Sequence, residues 1–286
     1  MSKAVFPTWL RKRASHSPRV QELRQLLAGQ ELRTVCQDAR CPNMGECFAG
    51  GTATFMILGD KCTRGCAFCA VTAGTPGPPD PGEPRRVARA AANLSLNHVV
   101  VTSVTRDDLP DGGAGHFAAT VREIRNVLPG STIEILTPDF GGSPEAVDQA
   151  AASGPDVYNH NLETVPRLYP RVRPGADYRR SLSLLARVKD KHPGMLTKSG
   201  LMVGLGEEPD ELAGVLQDLR EAGCDLLTIG QYLQPGPGQL PVQQLVEPDQ
   251  YRQYQRQGLA LGFREVAAGP FVRSSYRAHE MVVGHR

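Results

Sequence analysis

Six apolar, strand-like runs alternate with helical patterns from Ala53 onward, and this alternation restricts the fold more than any other feature of the chain. The predicted strands are 53–59, 98–104, 132–138, 156–162, 199–206 and 226–232. The predicted helices are 84–97, 114–128, 143–153, 177–192, 208–222 and 248–261. Strands joined through helices run parallel, either in a doubly wound sheet or in a barrel, although six units fall short of a complete (β/α)8 barrel. The sequence therefore predicts a parallel α/β fold.

Composition favours one large catalytic domain. The chain has 286 residues, of which 40% are hydrophobic, so it can bury a sizeable core. A formal net charge of +2 is too small to indicate nucleic acid or a membrane surface as a partner. No apolar run approaches the ~20 residues of a membrane span, and residues 1–18 lack the apolar segment of a secretion signal. We therefore expect a cytoplasmic protein whose thiols stay reduced.

Six of the seven cysteines lie in two triplets between residues 36 and 69. Cys36, Cys41 and Cys47 have the spacing C-x4-C-x5-C, and the second triplet, C-x3-C-x2-C, is Cys62, Cys66 and Cys69. A disulfide scaffold needs an even set in a short secreted chain, and a structural zinc site normally closes with four ligands. Close-spaced thiolates hold cubane iron-sulfur clusters, and a triplet leaves one iron free for another ligand. A zinc-stabilised module without redox chemistry remains the alternative.

The second triplet, in CTRGCAFC with the aromatic Phe68 before the last cysteine, resembles the radical S-adenosylmethionine (SAM) enzymes. With the upstream triplet and the sequence Arg273-Ser274-Ser275-Tyr276, the chain resembles the lipoyl synthase family over about residues 36–276. This resemblance implies an open, partial (β/α)6 TIM-like barrel with N- and C-terminal extensions. It divides the chain into an N-terminal extension (1–52) with the auxiliary cysteines, the barrel (53–262) and a C-terminal extension (263–286).

The same resemblance implies two [4Fe-4S] clusters and SAM as cofactors. Cys62, Cys66 and Cys69 would hold the cluster whose free iron binds SAM. Polar groups at the carboxyl ends of the strands, together with Phe68, are the candidates for binding SAM: Thr102, Ser103, Arg106, Asp107, Asn159, Asn161, Glu163, Lys198 and Glu207. Cys36, Cys41 and Cys47 would hold the auxiliary cluster together with a serine, for which we prefer Ser275 to Ser274. Arg273 is expected to stay near that cluster.

Function follows from the resemblance as an expectation. Lipoyl synthases insert two sulfur atoms, at C6 and C8, into a protein-bound N6-octanoyl-lysine and consume the auxiliary cluster as the sulfur donor. The alternative is another radical SAM sulfur-inserting enzyme, similar to biotin synthase or a methylthiotransferase. Expected partners are the octanoylated carrier domains of 2-oxoacid dehydrogenase E2 subunits and the glycine cleavage H protein, a low-potential electron donor such as ferredoxin or flavodoxin, and iron-sulfur carrier proteins.

Two further features bear on the site. Gly141 stands where the family usually has an arginine, so the contact made by that arginine is in doubt here. Ser275 is far from Cys36 in sequence, and joining the two requires the C-terminal segment to fold back. We expect that segment to close over the barrel mouth.

Overall fold

An eight-stranded sheet forms the centre of the molecule. The computed structural model describes residues 7–11, 21, 29, 32–35, 41, 43, 46–47 and 53–282. In spatial order the strands are β1 (Arg33–Thr34), β2 (Thr54–Ile57), β5 (His98–Ser103), β6 (Thr132–Leu136), β7 (Val157–Asn159), β8 (Leu196–Val203), β9 (Leu226–Gln231) and β10 (Glu265–Gly269). All neighbours pair in parallel except β1, which is antiparallel to β2. A separate two-stranded ladder joins β3 (Lys61–Cys62) to β4 (Thr72–Ala73).

Six helices follow the strands at the predicted places, and two short helices, at 169–172 and 278–282, were not predicted. Their bounds are α1 (Glu83–Asn93), α2 (Ala114–Val127), α3 (Pro144–Ala152), α4 (Tyr169–Val172), α5 (Tyr178–Lys191), α6 (Pro209–Glu221), α7 (Pro248–Ala260) and α8 (Ala278–Val282). Helix α3 begins as its sequence predicts, because Ser143 Oγ accepts the Ala146 N–H at 3.2 Å and Pro144 takes the first helical position. No helix of the described residues is long and apolar enough to cross a membrane.

The core lies between the sheet and its helices. Phe55, Val101 and Ile135 are fully buried on successive strands, and Ala90 and Phe117 pack over them from α1 and α2. Burial of each large side chain stabilises the fold by about 1.5–3 kcal/mol. The predicted parallel α/β partial barrel is confirmed.

Some boundaries differ from the prediction, and the differences matter for the site. The fourth predicted strand ends at Asn159, so residues 160–163 form a loop. The fifth begins at Leu196 and ends at Val203, before Gly204, whose φ of +96° favours glycine. Strand β10, a seventh parallel strand, was absent from the prediction, because EVAAG carries few of the residues that favour strands.

The C-terminal segment takes a different route from the expected one. Near the carboxyl end of β9, the backbone of Val272 lies so close to Gly230 that a Cβ on this glycine would be 2.1 Å from Val272 O. Helix α8 then packs Met281 and Val282 against the first residues of three strands, Val157, Leu196 and Leu226. The segment therefore runs from the carboxyl ends of the strands to their amino ends. Its first residues lie at the end where we expected it to close the mouth, and α8 lies at the opposite end.

Candidate cluster and cofactor sites

The loop that carries the second cysteine triplet is held by backbone hydrogen bonds. Cys62 Sγ accepts the N–H groups of Arg64 and Thr105, both at 3.4 Å, and Cys69 Sγ accepts that of Val71 at 3.4 Å. Backbone donors of this kind stabilise the negative charge of a thiolate. All three thiols are free and partly buried. The local fold thus presents three separate thiol groups from one short loop.

An arginine that the sequence analysis missed fastens this loop to two strand ends. Arg64 donates two hydrogen bonds to Asp107, at 2.7 and 2.8 Å, and one to Asp139 at 2.7 Å. Burial would raise the pKa of Asp139, but the contact with Arg64 lowers it to about 2. The carboxylates of Asp107 and Asp139 are therefore both hydrogen-bonded to the arginine of this loop. The sequence signal for the role of Arg64 was a basic residue between two cysteines of the triplet.

The chemistry of the three thiols fits an iron-sulfur cluster. Among the residues that the structure describes, no group of three Cys, His, Asp or Glu side chains converges as the ligands of one metal ion do. In a cubane cluster each thiolate binds a different iron atom, so the sulfurs need not converge on one point. Burial, followed by the charge of the neighbouring thiols, raises the pKa of Cys69 to about 11. Coordinated iron would keep such thiols deprotonated.

Two buried polar atoms at the strand ends lack partners among the described residues. They are Ser103 Oγ at the end of β5 and Asn159 Oδ1 at the end of β7. A buried polar atom without a partner is costly, so each is a place where a polar ligand group would be stabilising. Glu163, after β7, has a φ of +67°, and burial raises its pKa despite the opposing effects of Arg173 and Asn161. Ser103 Oγ, Asn159 Oδ1 and the Glu163 carboxylate are therefore available to bind the polar groups of a ligand such as SAM.

Four other SAM candidates have structural contacts. Thr102 Oγ1 donates to Leu136 O at 2.8 Å. The buried Arg106 guanidinium makes four hydrogen bonds: two to Asp108, one to Leu58 O and one to Gly77 O. Lys198 Nζ contacts both Glu134 oxygens, at 3.0 and 3.1 Å, and Glu207 accepts the N–H groups of Gly204 and Leu205. These side chains hold the loops and core around the site.

Glu134 is the most deeply buried charge that the sequence analysis missed. It lies on β6 with no exposed surface and accepts hydrogen bonds from Lys198 and from Asn159 Nδ2, the latter at 2.8 Å. Burial would raise the pKa of Glu134, but Lys198 and His98 lower it to about 2. A lone carboxylate in the apolar strand TIEIL was the available signal.

The upstream triplet and the C-terminal segment line one small cavity. Its walls are Cys41, Asn43, Cys47, Thr54, Arg273, Ser275 and Tyr276. Cys36 lies outside the described residues. Further contacts join the two segments: Asn43 Nδ2 donates to Phe271 O at 2.5 Å, and Tyr276 OH donates to Glu46 Oε1 at 2.8 Å. Two cysteines of the first triplet and one serine of the C-terminal motif therefore face the same space.

The two neighbouring serines have different surroundings. Ser275 lines the cavity, and its Oγ accepts a hydrogen bond from Thr54 Oγ1 at 2.8 Å. Ser274 lies instead between Asn159 and Asn161. Arg273 lines the cavity too, and it forms no ion pair with a carboxylate of the described residues, while burial lowers its pKa despite the opposing charge of Cys41.

Three further residues that stood out in the sequence have packing or turn positions. Phe68 is partly buried against the main core. His160 is fully enclosed between Thr137 O and Ser181 Oγ, and burial lowers its pKa to about 4. Gly141 is exposed in a turn with a φ of +63°, and a Cβ there would have nothing within 4 Å. An arginine at this position would have room but a strained backbone.

Comparison with known proteins gives the family. Residues 56–219 match the radical SAM superfamily. A lipoyl synthase of Acidithiobacillus ferrooxidans is 58% identical over 273 residues, which are 95% of this chain and 86% of that protein. A lipoyl synthase of Caldanaerobacter subterraneus subsp. tengcongensis is 57% identical over 95% of each chain. The chain belongs to the lipoyl synthase family. It is thus a radical SAM enzyme that inserts sulfur, and biotin synthase-like or methylthiotransferase-like activity is not favoured.

Solved structures support the fold of this lipoyl synthase family member. SuiB of Streptococcus suis, solved with S-adenosylmethionine, matches 82% of this chain and 54% of its own, with a TM-score of 0.58 and 12% identity. Methylornithine synthase (PylB) matches 79% of this chain and 67% of its own, with a TM-score of 0.52 and 16% identity. Membership in the radical SAM superfamily gives SAM and one [4Fe-4S] cluster as cofactors, and membership in the lipoyl synthase family gives a lipoyl-carrier protein as substrate.

Proposed function

We propose that this chain inserts sulfur at C6 and C8 of a protein-bound N6-octanoyl-lysine and takes that sulfur from an auxiliary [4Fe-4S] cluster. Cys36, Cys41, Cys47 and Ser275 are the proposed ligands of this second cluster. The observation that carries the proposal is the cavity in which Cys41 and Cys47 face Ser275 and Arg273. A serine beside two cysteines from a distant segment is an arrangement for which ordinary packing offers no reason.

The proposed ligand set suits a cluster that must come apart. An alkoxide or hydroxyl is a harder ligand than a thiolate and is less suited to a soft iron-sulfur site. Thr54 Oγ1 donates to Ser275 Oγ, so the serine oxygen has a hydrogen-bond partner whether or not it holds iron. Arg273 places a buried guanidinium at the same cavity, where it balances the negative charge of a thiolate-bound cluster.

At the other site, Cys62, Cys66 and Cys69 are the proposed ligands of the SAM cluster. SAM and this cluster supply the radical chemistry that removes hydrogen from unactivated carbon, which amino-acid side chains cannot do. Ser103, Asn159, Asn161 and Glu163 are the proposed binding groups for SAM, because they are polar and lie at or just after strand ends. Asn159 and Asn161 are buried, and Ser103 and Glu163 are half-buried. Phe68, Thr102, Arg106, Lys198 and Glu207 are proposed to keep these groups in place.

The finer assignments belong to the same proposal. Octanoylated carrier domains of 2-oxoacid dehydrogenase E2 subunits and the glycine cleavage H protein are the proposed substrates. A low-potential donor such as ferredoxin or flavodoxin would supply electrons, and iron-sulfur carrier proteins would rebuild the auxiliary cluster. We also propose a cytoplasmic location and the division into 1–52, 53–262 and 263–286. Strand β10 falls within the last of these segments.

The two cysteine triplets test the proposal by substitution. Anaerobically purified wild-type protein should carry about eight irons, and each triple-alanine variant about four. The variant without Cys62, Cys66 and Cys69 should not cleave SAM. The variant without Cys36, Cys41 and Cys47 should release 5′-deoxyadenosine from SAM but form no lipoyl product from an octanoyl-lysine peptide. Lipoyl product from this second variant would contradict the proposed sulfur source.

A further inference from the structure

Ser274, which is not among the proposed cluster ligands, connects the C-terminal segment to the proposed SAM site. Its Oγ accepts a hydrogen bond from Asn159 Nδ2 and donates one to Asn161 Oδ1, both at 2.9 Å. Asn161 Nδ2 in turn donates to Glu163 Oε1 at 3.0 Å. A continuous hydrogen-bonded chain therefore runs from the C-terminal motif to the half-buried Glu163.

The Glu134 carboxylate determines which groups donate and which accept along this hydrogen-bonded chain. Asn159 Nδ2 also donates to Glu134 Oε1 at 2.8 Å, and this carboxylate pairs with Lys198. Because an ionised carboxylate only accepts hydrogen bonds, the amide NH2 of Asn159 must face Glu134 and Ser274. The serine hydroxyl then donates to Asn161, whose own NH2 is left for Glu163. A methyl group at position 274 would leave both asparagine groups without this partner.

The far end of the hydrogen-bonded chain, Glu163, has an electrostatic effect on the second cysteine triplet. The charge of Glu163 acts on Cys66 and Cys69, and it also acts on Arg273 at the auxiliary cavity. Glu163 therefore interacts electrostatically with residues of both proposed cluster sites. Its left-handed backbone, with φ of +67°, needs support from its surroundings.

We propose that Ser274 is a positioning residue that couples the C-terminal segment to SAM binding through Asn161 and Glu163. In the RSSY motif the two serines would thus have separate tasks: Ser275 faces the auxiliary cavity and Ser274 sets the SAM-binding groups. Coupling of this kind is reciprocal, so bound SAM would also hold the C-terminal segment in place. The inference rests on the proposed roles of Glu163 and Asn161 in binding SAM.

Equilibrium SAM binding to anaerobically purified protein tests the coupling without turnover. Ser274→Ala should raise the Kd for SAM about tenfold, because it leaves buried amide groups unpaired. Ser274→Thr keeps the hydroxyl and should stay within about twofold of wild type. The matched control, Ser153→Ala, removes a half-buried hydroxyl just after α3, outside this chain and outside both proposed cluster sites, and should also stay within about twofold. In wild type, SAM should slow hydrogen exchange of the backbone amides of 272–276, and Ser274→Ala should remove this protection.

The coupling would be overturned by wild-type SAM affinity in Ser274→Ala, by an equal loss in Ser153→Ala, or by a loss in Ser274→Thr as large as that in Ser274→Ala. Unchanged exchange of 272–276 on addition of SAM to wild type would overturn it as well. A wild-type protein that binds SAM but forms no lipoyl product would contradict the proposed function and leave the coupling supported by the binding data. The two failures are therefore distinguishable.

Discussion

At the scale of single residues, one hydroxyl carries the most specific chemical expectation. Ser275→Cys should keep the auxiliary cluster and lose lipoyl formation, because a fourth thiolate binds iron as the other three do and resists the dissociation that sulfur donation needs. Ser275 lines the same cavity as Cys41 and Cys47, so a cysteine in its place would face the same space. Iron content and the amounts of lipoyl peptide and 5′-deoxyadenosine are the measurements.

Ser275→Ala is the companion variant and should lose lipoyl formation through an incomplete ligand set. Ser274→Ala should form product once SAM is supplied in excess, since its defect lies in SAM affinity. Full lipoyl formation by Ser275→Cys would show that lability of the fourth ligand is unnecessary. Full formation by both alanine variants would remove serine from the ligand set.

A second expectation at this scale concerns the buried pair of Lys198 and Glu134, neither of which has exposed side-chain surface. Lys198→Met should lower the free energy of unfolding by about 3–5 kcal/mol, because it leaves a buried carboxylate without its countercharge. Adding Glu134→Gln should restore much of that stability. Urea unfolding at pH 7 measures both variants.

The control for this pair is Lys191→Met, which breaks an ion pair with Asp148 at the surface. The change there should be about 0–1 kcal/mol, because exposed ion pairs are screened by water and salt. An equal loss in Lys191→Met and Lys198→Met would show that burial does not govern the effect. No recovery on adding Glu134→Gln would show that the stranded carboxylate is not its cause.

These residues show what the sequence could and could not predict. The cysteine triplets were recognisable because cluster ligands are close in sequence, and their spacing is itself the signal. The ion pair of Lys198 with Glu134 could not be predicted, because Glu134 lies two strands away and pairing between distant strands leaves no local pattern. The hydrogen bond between Thr54 and Ser275 could not be predicted either, because the two residues are far apart in the sequence.

At the scale of elements, a close contact between β9 and the C-terminal segment determines where that segment runs. A Cβ on Gly230 would lie 2.1 Å from Val272 O and 3.2 Å from a nitrogen of Arg273. Gly230→Ala should therefore displace 272–276, with loss of the auxiliary cluster and retention of the SAM cluster. Iron analysis should find about four irons per chain instead of about eight.

Gly238→Ala is the matched control, because a Cβ at Gly238 would meet nothing within 4 Å and its backbone is not left-handed. This variant should keep both clusters. If Gly230→Ala also kept about eight irons, the contact with Val272 would not be needed to hold the serine in the cavity.

Local signals explain why six helices and six strands were predictable. Helix α3 has its cap, proline and acidic first turn in consecutive positions, so its start could be read directly. Strand β10 contains few β-branched residues, and it pairs with β9 along its whole length. Tertiary pairing, which the sequence pattern does not express, decides such a case.

At the scale of the whole molecule, the C-terminal segment extends from the carboxyl ends of the sheet's strands to their amino ends. Its first part contacts Gly230 and the loop after β7, near the carboxyl ends of the strands. Its last part, α8, covers the amino ends of β7, β8 and β9. One segment thus contributes the proposed cluster ligand, the coupling serine and an apolar cover, which are tasks at three different places.

These tasks can be separated by the position at which the chain is cut. A chain ending after Arg277 keeps Ser274 and Ser275, together with the contacts of Tyr276 and Arg277 to Glu46. It loses Met281 and Val282, which are 4% and 3% exposed and cover Val157, Leu196 and Leu226. The free energy of unfolding should fall by on the order of 3–5 kcal/mol, since two large apolar side chains no longer bury their surface.

Both clusters should nevertheless remain, because every proposed ligand precedes the cut. Iron content, SAM affinity and urea unfolding, compared with a chain that ends after Val282, measure the separation of stability from chemistry. Loss of about four irons on removal of α8 would mean that the helix holds Ser275 in the cavity, and the segment would then act as one unit. Unchanged stability would mean that the apolar cover over β7, β8 and β9 contributes little to folding.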